Sequence, residues 1–337
     1  MEIISPDRVR LTAAEARALS VGALKKTGYD DEQAGVIADH VMDAALCGYE
    51  YSGLPKLLNV FEHKNLRRPR RPLKVIHETP VSAMVDGGNN CGMYALMRAA
   101  EMAIDRAQQH GFAVIGMNNS WVSGRGAIYV ETIARAGLIG IHTVSSTQHV
   151  APPGGAQAAY GTNPLSFGFP TAGDPFVIDL GTSAFMSTDL LFRERRGEPL
   201  PDGVAIDASG LPTTDPKAAR GGALLAFGGY KGFALAMAAQ ALGVFAGSSG
   251  DQEGNYGYLM MAMKPDLLMP TADYRRELSA SLARIKATPR LAGVDEIRLP
   301  GERSFKERER HLRDGIVIDK FIYDALLAAA PGALASY

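Results

Sequence analysis

The spacing of hydrophobic residues predicts helices at both ends of the chain. Thr12 and Glu15 form a capping box, and apolar residues follow at helical spacing up to residue 27. A second helix is predicted to begin after Asp30 and to end at Gly48, where a glycine can adopt the left-handed conformation that closes many helices. Further helices are predicted over 54–63 and 320–329.

The middle of the chain alternates short apolar runs with helical patterns. Strands are predicted over 74–85, 112–117, 138–144, 176–180 and 258–263, and helices over 94–109, 126–136, 228–245 and 271–287. The sequence Asp-Gly-Gly-Asn at 86–89 predicts a turn after the first of these strands, and the apolar composition of 228–245 predicts a buried helix. The alternation indicates an α/β domain over 74–303, wrapped by a helical unit from 1–73 and 304–337.

Composition narrows the class of protein. With 337 residues, 46% hydrophobic and 21% charged, the chain is typical of a globular protein with a large core. A net charge of -1 gives no electrostatic reason to expect nucleic acid, so a small molecule is the expected partner. Cys47 and Cys91 lack metal-site spacing, which argues against structural zinc and favours a reducing compartment. Neither a membrane span nor a signal layout is evident, so we expect a cytoplasmic protein without membrane contact.

The stretch 144–170 places small and polar residues between two apolar runs. Gly154, Gly155 and Gly161 remove side chains where a ligand could approach the backbone, and short hydrogen-bonding side chains lie beside them. Those side chains include Ser146, Thr147, Thr162 and Asn163. A surface loop without a ligand would have a similar composition, so this segment alone leaves both interpretations open.

Read together with its neighbours, this loop resembles the malate/L-lactate dehydrogenase family. The resemblance rests on NNSWVSGRGAIYVE at 118–131, FVIDLGTSA at 176–184, GVAIDASGLPTTDP at 203–216 and FGGYKGFALAM at 227–237, in the same order as in that family. The family includes ureidoglycolate, sulfolactate and diketogulonate enzymes and the piperideine/pyrroline-2-carboxylate reductases. It implies a mixed central sheet of the L-sulfolactate dehydrogenase-like type that binds NADH or NADPH without a Rossmann motif, and a homodimer. GGNNCG at 87–92 does not have the spacing of that motif.

The resemblance assigns cofactor contacts to residues in three of these segments and one more. These are Ser146 and Thr147, the turn Asp179-Leu180-Gly181, Lys231, and Gly301 with Glu302. An ammonium group at the start of a helix is suited to a phosphate. The Asp179 carboxylate could instead cap a helix or a turn.

At the catalytic positions this chain departs from the family pattern. Tyr51-Ser52-Gly53 with Lys56 stands where members typically carry Ser-His-Gly and an arginine, and Val122 stands where they carry a histidine. Lys56, Ser120, Val122, Thr162 and Asn163 are then the expected substrate contacts. Reduction of a ketone requires a proton, and a positioned acid contributes roughly 10²- to 10⁴-fold to the rate. Tyr51, Ser52 and His149 are candidates to replace the missing imidazoles.

Asp189 offers a different explanation for the missing histidines. The cyclic-imine reductases of the family are similar to this chain here, since they have an aspartate where hydroxyacid dehydrogenases more often have lysine. A carboxylate would hold a protonated C=N substrate, which needs no further acid. The preferred hypothesis is therefore an NAD(P)H-dependent imino-acid reductase. The alternatives are a 2-hydroxyacid dehydrogenase with a relocated acid, and a cofactor-binding member that has lost redox catalysis.

Overall fold

The computed structural model describes residues 1–249 and 256–329. The strands are β1 (Glu2–Ser5), β2 (Arg8–Leu11), β3 (Lys74–Thr79), β4 (Ser82–Cys91), β5 (Phe112–Trp121), β6 (Ile139–Ser145), β7 (Leu165–Phe169), β8 (Phe176–Leu180), β9 (Ala205–Ile206), β10 (Ala223–Leu224), β11 (Gly257–Met263) and β12 (Ile316–Asp319). The helices are α1 (Ala13–Lys26), α2 (Asp31–Leu46), α3 (Lys56–Glu62), α4 (Gly92–His110), α5 (Ala127–Arg135), α6 (Ser187–Arg196), α7 (Pro216–Gly221), α8 (Tyr230–Phe245), α9 (Thr271–Lys286), α10 (Glu302–Asp314) and α11 (Lys320–Ala328).

A mixed sheet forms the centre of the fold. Its strand order is β3-β4-β5-β11-β6-β7-β8, in which β4 and β5 pair in parallel and the other neighbours are antiparallel. Helix α4 packs on β5 and β11, α8 on β6 and β11, and α5 on β6 and β7. The prediction of a mixed α/β sheet is confirmed.

The two ends of the chain meet in a second buried cluster. Side chains of α1, α2 and α3 pack there against Ile316 and Ile318 of β12 and against Ile322 and Leu326 of α11. Besides these helices, the terminal region contains a small sheet of order β1-β2-β12, which the sequence analysis did not predict. The boundaries at 73/74 and 303/304 stay a prediction, and residues 330–337 of the second segment lie outside the described chain.

The strand predicted over 74–85 is in fact a hairpin. β3 and β4 are joined by a turn at Pro80–Val81, which Thr79 and Ser82 close through a 2.7 Å contact between their hydroxyls. The predicted turn at 86–89 is also wrong, because these residues lie within β4, where the pairing with β5 shifts between Asp86 and Asn90. This shift in pairing is a β-bulge, and it requires glycine because a Cβ at Gly87 would lie only 2.7 Å from the carbonyl oxygen of Asn118.

Two further differences concern β7 and α8. The sequence analysis missed β7, in which the bare Cα of Gly168 lets α5 approach, since a Cβ there would lie 2.1 Å from the Val130 carbonyl oxygen. Helix α8 was predicted to be buried, yet it leaves apolar side chains such as Val244 and Phe245 exposed to solvent. Within the described part of the chain, no helix has the length and apolar character needed to cross a bilayer.

Candidate active site

A cavity of about 200 Å³ lies where the terminal region meets the α/β sheet. Its walls come from the turn before α3, the loop that leads into α5, the end of β8 and the start of α6. The lining residues are Tyr49, Tyr51, Ser52, Lys56, Gly124, Arg125, Gly126, Pro164, Asp179, Gly181, Met186 and Thr188. The cavity therefore brings together five predicted site residues: Tyr51, Ser52, Lys56, Asp179 and Gly181.

Lys56 places an ammonium group deep in this cavity. Its Nζ donates to Thr188 Oγ1 at 2.7 Å and forms no ion pair with a carboxylate of the described residues. Burial lowers the pKa of Lys56 to about 8, because desolvation disfavours the charged amine. A substrate carboxylate would supply the missing counter-ion.

Arg125 is a cavity residue that the sequence analysis missed. Its side chain is only 8% exposed, and Nη1 donates to Asp43 Oδ2 at 2.8 Å. Behind it, the fully buried His40 accepts the backbone N–H of Arg125 on Nε2 at 2.8 Å. Burial, followed by the charges of Arg125 and Lys56, lowers the pKa of His40 to about 3, so this imidazole stays neutral and supports the loop. The position of Arg125 between Gly124 and Gly126, like that of Lys231 between glycines, was the available signal.

Tyr49 is another cavity residue that the sequence analysis missed, although it lies two positions before Tyr51. The two rings meet edge to face, with centroids 6.4 Å apart. Burial, and then the charge of Asp189, raises the pKa of Tyr51 to about 12. Tyr51 therefore keeps its proton, yet at neutral pH it is a weak acid.

The two aspartates have different positions. Asp179 accepts the N–H of Ala127 at 3.0 Å and the hydroxyl of Ser166 at 2.8 Å, so its carboxylate caps the start of α5, as in the alternative interpretation of this residue. Asp189 lies in the first turn of α6, 3.9 Å from Arg193, and does not line the cavity itself. Burial raises its pKa, and its charge acts on Tyr51 at the cavity wall.

The predicted cofactor loop forms a neighbouring cluster. The Asn163 side chain accepts the N–H of Ser146 at 3.0 Å and donates to Ala236 and Gln240 of α8. The Thr162 carbonyl accepts from both the backbone and the hydroxyl of Thr182, which follows Gly181. The loop, the end of β8 and helix α8 are thus joined beside the cavity.

Other predicted residues lie apart from the cavity or already have partners. His149 is exposed and contacts Thr147 Oγ1 at 3.2 Å, away from the cavity wall. The Ser120 hydroxyl donates its proton to the Asn90 carbonyl at 2.7 Å, and Ser120 does not line the cavity. Val122 does not line the cavity and has a φ of 56°, a left-handed conformation that is costly for a β-branched residue.

Gly301 and Glu302 lie at the other end of β8. A Cβ at Gly301 would be 2.7 Å from the Val177 carbonyl oxygen, so the glycine permits close packing on the strand. Glu302 accepts the N–H of Leu299 and pairs with Lys286 at the edge of a larger cavity of about 440 Å³. Phe176 lines this larger cavity and Gly181 lines the smaller one. At about 3.3 Å per residue along the strand, these two residues are roughly 16 Å apart.

These residues fit a nicotinamide dinucleotide that extends beyond the small cavity. Ligand pockets commonly measure about 300–1,000 Å³. This cavity of about 200 Å³ is smaller, so it has room for one ring and a small acid but not for a whole dinucleotide. Next to it, Ser146 Oγ is buried without a hydrogen-bond partner among the described residues. Lys231 is exposed and forms no ion pair with the described residues. The backbone at Gly228 and Gly229 is accessible, because a Cβ atom at either position would meet open space. An orphaned hydroxyl, a free ammonium and accessible backbone are suitable partners for a pyrophosphate.

The chain is similar to one enzyme family over almost its whole length. The family model of malate/L-lactate dehydrogenase matches residues 11–327. The L-sulfolactate dehydrogenase of Methanocaldococcus jannaschii is 31% identical over 91% of this chain and 92% of its own. The Δ1-pyrroline-2-carboxylate/Δ1-piperideine-2-carboxylate reductase of Pseudomonas aeruginosa is also 31% identical, over 95% and 99%. The crystal structure of a Δ1-piperideine-2-carboxylate reductase from Pseudomonas syringae aligns with a TM-score of 0.81 and 30% identity, over 96% of this chain and all of that one.

Proposed function

The chain belongs to the malate/L-lactate dehydrogenase family and is an oxidoreductase, and from that premise we propose that it reduces a small cyclic or N-substituted imino acid with NADH or NADPH. The chain is 31% identical both to a sulfolactate dehydrogenase and to an imine reductase, so sequence identity does not indicate which substrate it uses. The substrate must be inferred from the residues of the site. The observation that carries the proposal is the placement of Asp189. Asp189 directly follows the cavity residue Thr188 in the first turn of α6, and among the described residues no imidazole lines this cavity.

Two side chains of opposite charge, Lys56 and Asp189, recognise the two charged groups of the substrate. Lys56 binds the substrate carboxylate, since its ammonium lacks a counter-ion among the described residues. Asp189 stabilises the positive charge of the protonated C=N group from the α6 side. When bound, the nicotinamide supplies the hydride that reduces the substrate carbon. Ser146, the Gly181 turn and Lys231 hold the cofactor beside the cavity, and Gly301 and Glu302, at the other end of β8, contact only the part of the cofactor that extends beyond it.

Competing substrates test this proposal. We expect faster reduction of piperideine-2-carboxylate than of pyruvate-type keto acids, measured as NADH or NADPH absorbance loss in separate assays. Asp189→Asn should lower imine reduction by at least tenfold. Glu194→Gln is the matched control, because Glu194 lies on the same helix but pairs with the exposed Arg220. Faster keto-acid turnover, or an unaffected Asp189→Asn variant, would remove the imine assignment.

A 2-hydroxyacid dehydrogenase is the second candidate. The two tyrosines in the cavity favour it, because a phenol can supply the proton that a keto acid requires. This activity predicts oxidation of a 2-hydroxy acid whose rate increases with pH, since the acid must be deprotonated in that direction. Absence of any such oxidation at raised pH would exclude it.

We also propose a homodimer with α8 in its interface. Tyr230, Val244 and Phe245 of this helix are 75%, 55% and 72% exposed, and Leu235 and Leu242 also contact solvent. Apolar side chains gathered on one helix favour burial against another subunit. Sedimentation should give the mass of a dimer, and Phe245→Glu should shift it to a monomer. A wild-type monomer at micromolar concentration would contradict this assignment.

A further inference from the structure

Two guanidinium groups lie over the ring of Tyr49. The guanidinium carbon of Arg125 lies 4.7 Å from the ring centroid, and that of Arg303 lies at 4.8 Å. The Ser304 hydroxyl donates to the phenol oxygen at 3.3 Å, and Arg125 Nη2 reaches the same serine at 3.5 Å. The phenol thus lies in the cavity wall within a group of donors and positive charges that would stabilise a phenolate.

The two neighbouring phenols differ in their surroundings. Burial alone would raise the pKa of Tyr49, but the contacts with Ser304 and Arg303 and the charges of Arg125 and Arg303 lower it below its usual value. For Tyr51, burial and Asp189 raise the pKa. Tyr49 is therefore the stronger acid of the pair.

We propose that Tyr49 is the catalytic acid of this cavity, the group that transfers a proton to the substrate heteroatom during reduction. The inference rests on the proposed function and applies to a C=N or a C=O substrate. For a C=O substrate, the π electron pair moves to oxygen as the carbon accepts hydride, the Tyr49 O–H bond breaks and the new O–H bond forms. For a C=N substrate, Tyr49 first transfers its proton to the nitrogen, which forms the protonated C=N group that Asp189 stabilises, and hydride addition to the carbon then gives a neutral amine. In both cases the phenolate regains its proton from water.

The other titratable groups near Tyr49 do not replace it. The guanidiniums of Arg125 and Arg303 lie over the Tyr49 ring, and Asp179 accepts hydrogen bonds as the α5 cap. Lys56 faces the same cavity from α3, where its charge serves the substrate carboxylate. The neutral His40 lies behind the loop and accepts a backbone N–H. Among the described cavity residues, Tyr49 is thus the phenol that nearby cations acidify.

Paired substitutions test the role in catalysis. At saturating substrate, kcat for reduction should fall as pH rises through the Tyr49 pKa, because the donor must carry its proton. Tyr49→Phe should lower kcat by roughly 10²- to 10⁴-fold and remove this descending limb. Tyr51→Phe is the matched substitution, and its kcat profile should keep the limb whatever its effect on rate. Using kcat separates this effect from Lys56, whose titration acts on KM.

A second measurement needs neither substrate nor cofactor. Ultraviolet difference titration of the free protein should show one tyrosinate forming at lower pH than the others, absent in Tyr49→Phe and shifted to higher pH in Arg303→Met. A Tyr49→Phe variant that retains the early tyrosinate, or retains the kcat limb, overturns the proposal. If the wild-type protein reduces no imino or keto acid, the proposed function itself fails. If it reduces one and Tyr49→Phe matches it, only the role of Tyr49 fails.

Discussion

Substitution of Asp43 should destabilise the protein far more than substitution of a similar aspartate one helical turn away. Asp43 lies on α2 and binds two arginines, with Oδ2 2.8 Å from Arg125 Nη1 and Oδ1 2.6 Å from Arg308 Nη2. The Asp43 side chain is 13% exposed, and that of Arg125 8%. Asp43→Asn would therefore leave the buried guanidinium of Arg125 and the half-buried guanidinium of Arg308 with one counter-charge fewer.

The expected magnitude follows from burial. Removing one partner of a buried ion pair costs about 3–5 kcal/mol, because the remaining charge is left uncompensated in a poorly solvated site. Arg308 also pairs with Glu131, so it keeps one counter-charge in the variant. We therefore expect Asp43→Asn to lower the free energy of unfolding by about 4 kcal/mol. At about 2.1 cal/mol/K per residue, the unfolding entropy of 337 residues is roughly 0.7 kcal/mol/K, so Tm should fall by about 6 °C.

Asp39→Asn is the matched control. Asp39 lies on the same helix and pairs with Arg17 at 2.6 Å, but the two side chains are 57% and 49% exposed. Exposed pairs contribute about 0.2–1 kcal/mol, so the Tm of this variant should change by no more than about 1.5 °C. Urea unfolding at neutral pH and calorimetry give both values. If the two variants differ by less than about 1 kcal/mol, the buried network does not stabilise the fold as argued.

Two further predictions concern the cavity. Because burial lowers the pKa of Lys56 to about 8, its ammonium is charged below that pH, and KM for a carboxylate substrate should be flat there and rise about tenfold per pH unit above it. Lys56→Arg should remove the rise and Lys56→Met should give a high KM at every pH, whereas a flat wild-type profile would contradict the role of Lys56. Val122→His should leave the kcat/KM ratio of keto-acid to imino-acid reduction unchanged, because Val122 does not line the cavity. The variant should fold, since φ at 122 is 56° and histidine tolerates this conformation better than valine. A higher ratio in a variant of normal Tm would show that this position does reach the substrate.

The sequence determined the features that local chemistry encodes. The capping box of Thr12 and Glu15 begins α1, and the Asp30 side chain begins α2, as predicted. The strand 176–180 and the order of the family motifs could also be read from the sequence. Such signals survive without tertiary information because capping and periodicity act over only a few residues.

Only the tertiary structure decided which side chains share the cavity. Tyr49 and Arg303 are 254 positions apart, yet α10 packs against α2 and places the guanidinium on the phenol ring. No local pattern predicts such a contact, since it depends on how separate elements pack. The same holds for the exposed face of α8: composition measures how apolar a helix is, whereas exposure depends on the surfaces that remain to cover it.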